Sequence, residues 1–276
     1  MTNQSEGGAA ASTPYRFVTC EKLGSVARIC HNRPEARNAE SRRLLGELDA
    51  AMAEASGDDS IRVIILGGVG DHFSAGHDLK EAQAERAQFS VEERWAFEER
   101  YYYEYALRIH DLPKPTIAQV QGACVAGAFM VANMCDLVVA SDDAFFADPV
   151  CQTLGAAAVE VLIHPWVMGM RKAKEFLFTG ERMPAAEAYR IGMVNRLVPR
   201  AELETATLAL AQKIANASPF ALMLTKRSLN RSLDIQGLRT ALQAHFDTHQ
   251  LSHLGSTFQT AKKDGLSTAL AKGKTT

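Results

Sequence analysis

The sequence predicts an α/β fold, a mostly parallel sheet built from strand–turn–helix units and followed by a helical C-terminal region. Three observations carry that expectation. Short β-branched runs alternate with helix-periodic stretches over the first half of the chain, the pattern that right-handed crossovers between parallel strands produce. Strand-like runs almost vanish after Gly155, where only residues 194–198 keep the pattern. From Glu202 onward the chain is helix-periodic, broken at Ser218-Pro219 and at Gly255.

The polar, small-residue stretch 1–14 shows no periodicity and is expected to be a disordered tail. Runs at 16–19 and 26–30 flank Lys22-Leu23-Gly24-Ser25, a hairpin signal. After the loop Asn32-Arg33-Pro34, residues 39–55 place Leu44, Leu45, Leu48 and Met52 on one helical face. Residues 62–66 form an apolar strand ending in Gly67-Gly68, and a glycine-rich stretch leads on through a polar segment to a long helix at 91–111. Pro113-Lys114-Pro115 stops that helix. The pattern then repeats as a strand at 116–120, a small-residue turn at 122–127, a short helix at 130–134 and a strand at 137–140. These elements divide the chain into a core of residues 15–200 and a helical region of residues 201–276.

Composition narrows the function. At 276 residues and 47% hydrophobic content the chain can bury a large core. A net charge of −2 gives no general attraction to nucleic acid or to an anionic membrane. Cys20, Cys30, Cys124, Cys135 and Cys151 are odd in number and never spaced as CxxC, so reduced thiols in a cytoplasmic protein are expected. No segment has the pattern of an export signal, and the longest nearly apolar stretch, 123–135, falls short of the ~20 residues that cross a bilayer. Gly68-Val69-Gly70 mimics a dinucleotide fingerprint, but Phe73 takes the place of the third glycine and no helix starts there. His245, His249 and His253 recur at every fourth position, yet Phe246 stands where a zinc protease carries its glutamate. A polar helix face, not a metal site, is expected there.

Two turns hold the remaining information: Phe73-Ser74-Ala75-Gly76-His77-Asp78-Leu79-Lys80 and Gln121-Gly122-Ala123-Cys124-Val125-Ala126-Gly127-Ala128. Each follows a buried strand and places small residues where bulk would normally pack, which lets a ligand approach the backbone. If Gly127 opens the short helix, its amide carries the positive end of that helix's dipole. On spacing alone the turns are either plain βα connections or the two arms of an oxyanion hole, whose donors contribute ~3 kcal/mol each.

The first turn resembles the first signature of the crotonase (enoyl-CoA hydratase/isomerase) superfamily, and the segment from Gly122 to Asp136 resembles the second. The resemblance continues in order through Pro34-Glu35-Ala36-Arg37-Asn38-Ala39, Phe146-Ala147-Asp148-Pro149, Phe178-Thr179-Gly180-Glu181-Arg182 and Ala188-Tyr189-Arg190-Ile191-Gly192-Met193-Val194. It covers nearly everything from Tyr15 onward. It implies a crotonase-like spiral of ββα units with a C-terminal α-helical trimerisation region, assembled as a homotrimer or hexamer. It implies an acyl-CoA or enoyl-CoA thioester as the ligand, with coenzyme A part of the substrate and no separate cofactor. The adenine end would lie near Ala36, Arg37 and the backbone of Ala75, Asp78 and Leu79, with Lys80, Lys262 or Lys263 meeting phosphates. The thioester oxygen would sit on the amides of His77 and Gly127.

The chain departs from the pattern at the acids. Hydratases of this family carry two glutamates, and the matching positions here are Met130 and Val150, which are left as acyl-pocket residues. Neither side chain can activate water. Asp148 is the candidate replacement, because residues two apart in an extended segment point the same way. Glu160 and His164, four apart, could pair on a helix. Tyr101, Tyr102, Tyr103 and Tyr105 are expected to supply an aromatic pocket wall. The expected activity is that of a lyase, isomerase or hydrolase that stabilises a thioester enolate, with a non-catalytic acyl-CoA-binding protein as the alternative. Apolar positions Leu208, Ile214, Leu222, Leu229, Leu238 and Leu242 point to assembly through the helical region.

Overall fold

A computed structural model describes residues 15–268, so the tail expected at 1–14 lies outside the described residues. β1 (Val18–Leu23) and β2 (Val26–His31) pair antiparallel around Gly24, whose φ of +65° suits glycine. α1 (Arg42–Gly57) begins where the Ser41 hydroxyl accepts the Leu44 amide at 3.2 Å, and it crosses to β3 (Val63–Gly68), parallel to β2. The next crossover comprises α2 (Leu79–Arg86), α3 (Val91–Glu98), a π-helical turn at Glu99–Tyr103 and α4 (Glu104–Asp111), and it leads to β4 (Thr116–Val120). β5 (Ala123–Val125), α5 (Gly127–Asn133), β6 (Leu137–Ser141) and β7 (Phe145–Ala147) follow. α6 (Val150–Thr153), α7 (His164–Met168), α8 (Met170–Thr179), β8 (Met183–Pro184) and α9 (Ala185–Arg190) then lead to β9 (Arg196–Val198). The helical region contains α10 (Leu203–Ala215), α11 (Pro219–Ile235), α12 (Leu238–Ser252) and α13 (Ser256–Asp264).

The main sheet has the order β1-β2-β3-β4-β6-β9 and is parallel apart from the first hairpin. β5, β7 and β8 form a second, small sheet that the sequence pattern did not show. Its strands are two or three residues long, too short to display a period.

Alternation along β3 divides the packing. Ile64 and Leu66 join the main core with Leu45, Leu48, Ala118 and Phe129, while Val63 and Ile65 point to the opposite face. There α10 closes the sheet with Leu203, Leu210, Ala211 and Ala215. The helical region is thus one layer of the fold. Leu238 and Leu242 are fully buried in the main core, so only part of the predicted apolar face stays uncovered. The exposed part lies on α11, where Phe220 and Leu229 are exposed and Ile235 is 87% exposed.

Candidate active site

The two turns meet side by side. The Phe73 amide donates to the Gln121 carbonyl at 2.7 Å, Ser74 to Ala123 at 3.0 Å and Val125 to Ser74 at 3.2 Å, laying the first turn parallel to β5. The Asn38 side-chain amide, held in left-handed backbone at φ +55°, donates to the carbonyls of Val69, His72 and Phe73 and fixes the turn from below. Gly76 has φ +83°, and a Cβ there would strike the Val125 carbonyl and approach the Gly127 nitrogen to 3.2 Å. Only glycine allows this close approach of the first turn to the Val125–Gly127 backbone. The bonds that fix the turns use the amides of Ser74, Ala75, Gly76, Asp78 and Ala126. Among the described residues none uses the amides of His77 or Gly127. Gly127 is also the first residue of α5, as the dipole argument requires.

Two cavities flank the turns and share Ala75, Val125, Pro149 and Thr153. The outer one, about 660 Å³, has Arg37 and Arg182 on its rim. The inner one, about 120 Å³, is walled by His77, Leu79, Val150 and Tyr102 and by Phe258 of α13. Ala75, Arg37, Leu79, His77 and Val150 therefore lie on the cavities. Ala36 sits in the short turn beside Arg37, and Lys80 is exposed in the first turn of α2. Asp78 caps α2 by accepting the Lys80 and Glu81 amides at 3.1 Å and pairs with Arg33 at 3.0 Å, which fixes the loop. Of the four tyrosines only Tyr102 walls the inner cavity, stacked on the His77 ring at 3.7 Å.

Three expectations need correction. Asp148 does not face the cavity that Val150 faces: it is fully buried, 3.3 Å from His164 Nε2, and accepts the Val150 amide at 3.2 Å. The extended run ends at Ala147 and turns at Pro149 into α6, so the two-residue alternation stops at the corner. Met130 packs in the main core beside Val131 and Phe129 and does not line the cavity. Glu160 and His164 do not pair, because Glu160 lies in an irregular loop, with Ala158 at φ +55°, and α7 starts only at His164.

Glu160 instead enters a chain of alternating imidazoles and carboxylates that no local pattern predicted. His31 Nε2 lies 3.8 Å from Glu40 Oε1, and Glu40 Oε2 lies 3.8 Å from His77 Nε2. His77 Nδ1 is 3.7 Å from Glu160 Oε1, which is 3.5 Å from His249 Nε2. His249 Nε2 is 3.5 Å from Glu98 Oε2, and that oxygen is 3.8 Å from His253 Nδ1. The Glu98 carboxylate also accepts Gln250 at 2.7 Å and Arg94 at 3.2 Å. The π-helical turn begins directly after Glu98 and contains Tyr102, an irregularity of a kind that often marks functional sites.

Charge is distributed unevenly along this chain. Burial opposes a charge on His249, but the attraction of the Glu160 and Glu98 carboxylates pushes it up to about 10. Burial likewise opposes ionisation of Glu160, yet the His77 and His249 imidazoles hold it below the usual carboxylate range. Glu98 is held below that range too, by His249, His253 and Arg94 against its burial. Burial lowers His253 and His31 to about 4, and burial together with the Glu160 charge raises Glu40 to about 8. Glu98, His249 and His253 offer ligand atoms within 4.8 Å of one another, a spacing open to a cation. Arg94 and a protonated His249 already balance Glu98, so the group is read as a charge-compensated network.

The turns thus bring backbone amides with no partner among the described residues near a cavity walled by acid–base side chains. The family model for enoyl-CoA hydratase/isomerase matches residues 21–275. A putative enoyl-CoA hydratase of Mycobacterium tuberculosis is 43% identical over 258 residues, 87% of this chain and 81% of that protein. The crystal structure of a probable enoyl-CoA hydratase from Mycobacterium smegmatis superposes with a TM-score of 0.82 at 47% identity, covering 87% of this chain and 95% of that one. An enoyl-CoA hydratase/isomerase from Xanthobacter autotrophicus Py2 gives a TM-score of 0.87 at 38% identity, covering 94% and 97%. The chain belongs to the enoyl-CoA hydratase/isomerase family, the crotonase superfamily its motifs resemble.

Proposed function

We propose that this chain binds an acyl-CoA or enoyl-CoA thioester and catalyses proton transfer next to its carbonyl, by way of an enolate held on the His77 and Gly127 amides. The observation that supports this is that the His77 and Gly127 amides have no partner among the described residues, on two turns that Gly76 lets pack closely beside the cavities. Such donors act where charge develops and need no reorganisation when it does. Coenzyme A would occupy the outer groove, with Arg37 and Lys80 available to its phosphates and the Ala36, Ala75 and Leu79 backbone along its length. The acyl group would enter the inner cavity against Val150 and Tyr102. The expected reaction class is isomerisation or exchange, because two-carboxylate hydration lacks its usual acids at Met130 and Val150. Calorimetry with butyryl-CoA tests the reading: saturable binding with one thioester per chain is expected, and no binding would overturn it. Binding without any turnover of enoyl-CoA would favour a carrier over an enzyme.

The assembly proposed is a homotrimer or hexamer joined through the helical region, where α11 leaves Phe220, Leu229 and Ile235 exposed. Light scattering at micromolar concentration should give a mass of three or six chains, and a monomeric mass would count against it. No helix among the described residues is long and apolar enough to cross a membrane, and all five cysteines are free, which suits the cytoplasmic location proposed.

A further inference from the structure

The inner cavity carries carboxylates on residues other than the two positions the family pattern uses. Glu160 and Glu98 both line it, and so do His77, His249 and His253. These groups come from the first turn, α3, the loop before α7 and the end of α12, yet they alternate in type from one contact to the next. Four of the atoms involved, Glu160 Oε2, His77 Nε2, His249 Nε2 and His253 Nδ1, are buried without a hydrogen-bond partner among the described residues. Buried polar atoms are normally satisfied, so such a cluster at a cavity wall calls for an occupant or a moving proton.

From this geometry we infer that Glu160 is the proton-carrying group of the site and that His249, bridging it to Glu98, is the residue that positions it and keeps it ionised. The inference rests on the thioester being cradled as proposed above. The Glu160 carboxylate takes a proton from the carbon next to the thioester carbonyl. The C–H electron pair moves into the new C–C double bond while the carbonyl electrons move to the oxygen held by the two amides. If the Glu160 carboxyl trades its proton with water before returning one to the same carbon, the result is exchange, and returning the proton to the far end of an enolate conjugated with a double bond gives isomerisation. Water is the only other participant, and only exchange needs it.

His249 suits its role by its two ring nitrogens. Nδ1 lies 3.4 Å from the Ala157 carbonyl and Nε2 lies between the two carboxylates. Only the imidazolium can donate from both. At 3.5 Å the attraction to each carboxylate is mainly Coulombic, and burial leaves it weakly screened. The Glu160 charge is felt by His77, Tyr102, His249, His253, His245, Glu98 and Glu40, and His77 and His249 are its nearest imidazoles. Of these, His249 is the cation held closest.

The test is exchange of the butyryl-CoA α-protons in deuterated water, with binding measured in parallel. Glu160→Gln should lose at least about 100-fold of the exchange rate while still binding butyryl-CoA. Glu160→Asp, which keeps the charge, should recover part of it and guards against a folding defect in the amide variant. His249→Gln removes the counter-charge, so the rising limb of the pH–rate profile should move upward by about one pH unit or more. A side chain that merely packs would not shift that limb. Wild-type exchange that persists undiminished in Glu160→Gln overturns the inference and leaves the cradle standing, as does a wild type that binds without exchange. Exchange abolished by EDTA would overturn it in favour of a cation at Glu98, His249 and His253. A wild type that does not bind butyryl-CoA removes the cradle itself.

Discussion

Crotonyl-CoA should be hydrated by this chain at least about 100-fold more slowly than by a relative carrying both glutamates, since each general acid or base is typically worth about 100- to 10,000-fold. Adding water across a conjugated double bond needs one group to activate the water and a second to protonate the carbon next to the carbonyl. The two positions that hold those groups in hydratases are Met130, packed in the main core, and Val150, apolar on the cavity wall. Glu160 can serve one half of that chemistry. Glu98 is tied to Arg94, Gln250 and His249, so it is poorly placed to serve the other. Isomerisation of a 3-enoyl-CoA, followed at the absorbance of the conjugated product, should therefore outpace crotonyl-CoA hydration under the same conditions. Hydration as brisk as that of a two-glutamate enzyme would sink the case built on the replaced acids.

Gly127→Val should cost the chain its thioester affinity by about tenfold or more, together with several degrees of melting temperature. The packing at Gly127 dictates both effects. A Cβ on this residue would fall inside contact distance of His77 Nε2 and 2.8 Å from Glu40 Oε2. Glu40 is buried and His77 mostly so, and both sit in the middle of the imidazole–carboxylate chain. Overpacking of this kind costs ~1–3 kcal/mol, and a displaced His77 carries its own amide away from the carbonyl. Gly127→Ala should show the same two effects in milder form, with the loss of binding exceeding the loss of stability. Calorimetry with butyryl-CoA and a thermal melt would check both. Unchanged affinity would place the carbonyl elsewhere.

The parallel strands were legible because β-branched runs such as those at 62–66 and 116–120 leave a local trace, and the two turns were legible because glycine and alanine stand where bulk is expected. β5, β7 and β8 left no such trace. The pairing of Ala123 with Phe145 and of Phe146 with Met183 is set by tertiary contact. Spacing misled at two points for an identifiable reason. Alternation from Val150 to Asp148 fails at the Pro149 corner, and the four-residue interval from Glu160 to His164 spans a loop whose backbone is not helical. The His–Glu chain joins residues as far apart as Glu98 and His249 or His77 and Glu160, and no window of sequence contains both members of such a pair. Its one local trace was the four-residue interval between His249 and His253 on α12, which sequence alone read as a polar face.

α10 closes one face of the main sheet, and α12 with its C-cap carries His249 and His253 to the inner cavity. The last quarter of the polypeptide therefore answers to two masters at once, and it cannot be exchanged between relatives as a module. A chimera that grafts a foreign tail onto this spiral must match Val63, Ile65, Ile117 and Val139 on one face while also returning an imidazole to Glu160. Divergence of acyl preference within such a lineage would be expected to move through paired changes, one in the tail and one near Glu98 or Glu160, because a single change in either leaves a buried charge facing nothing.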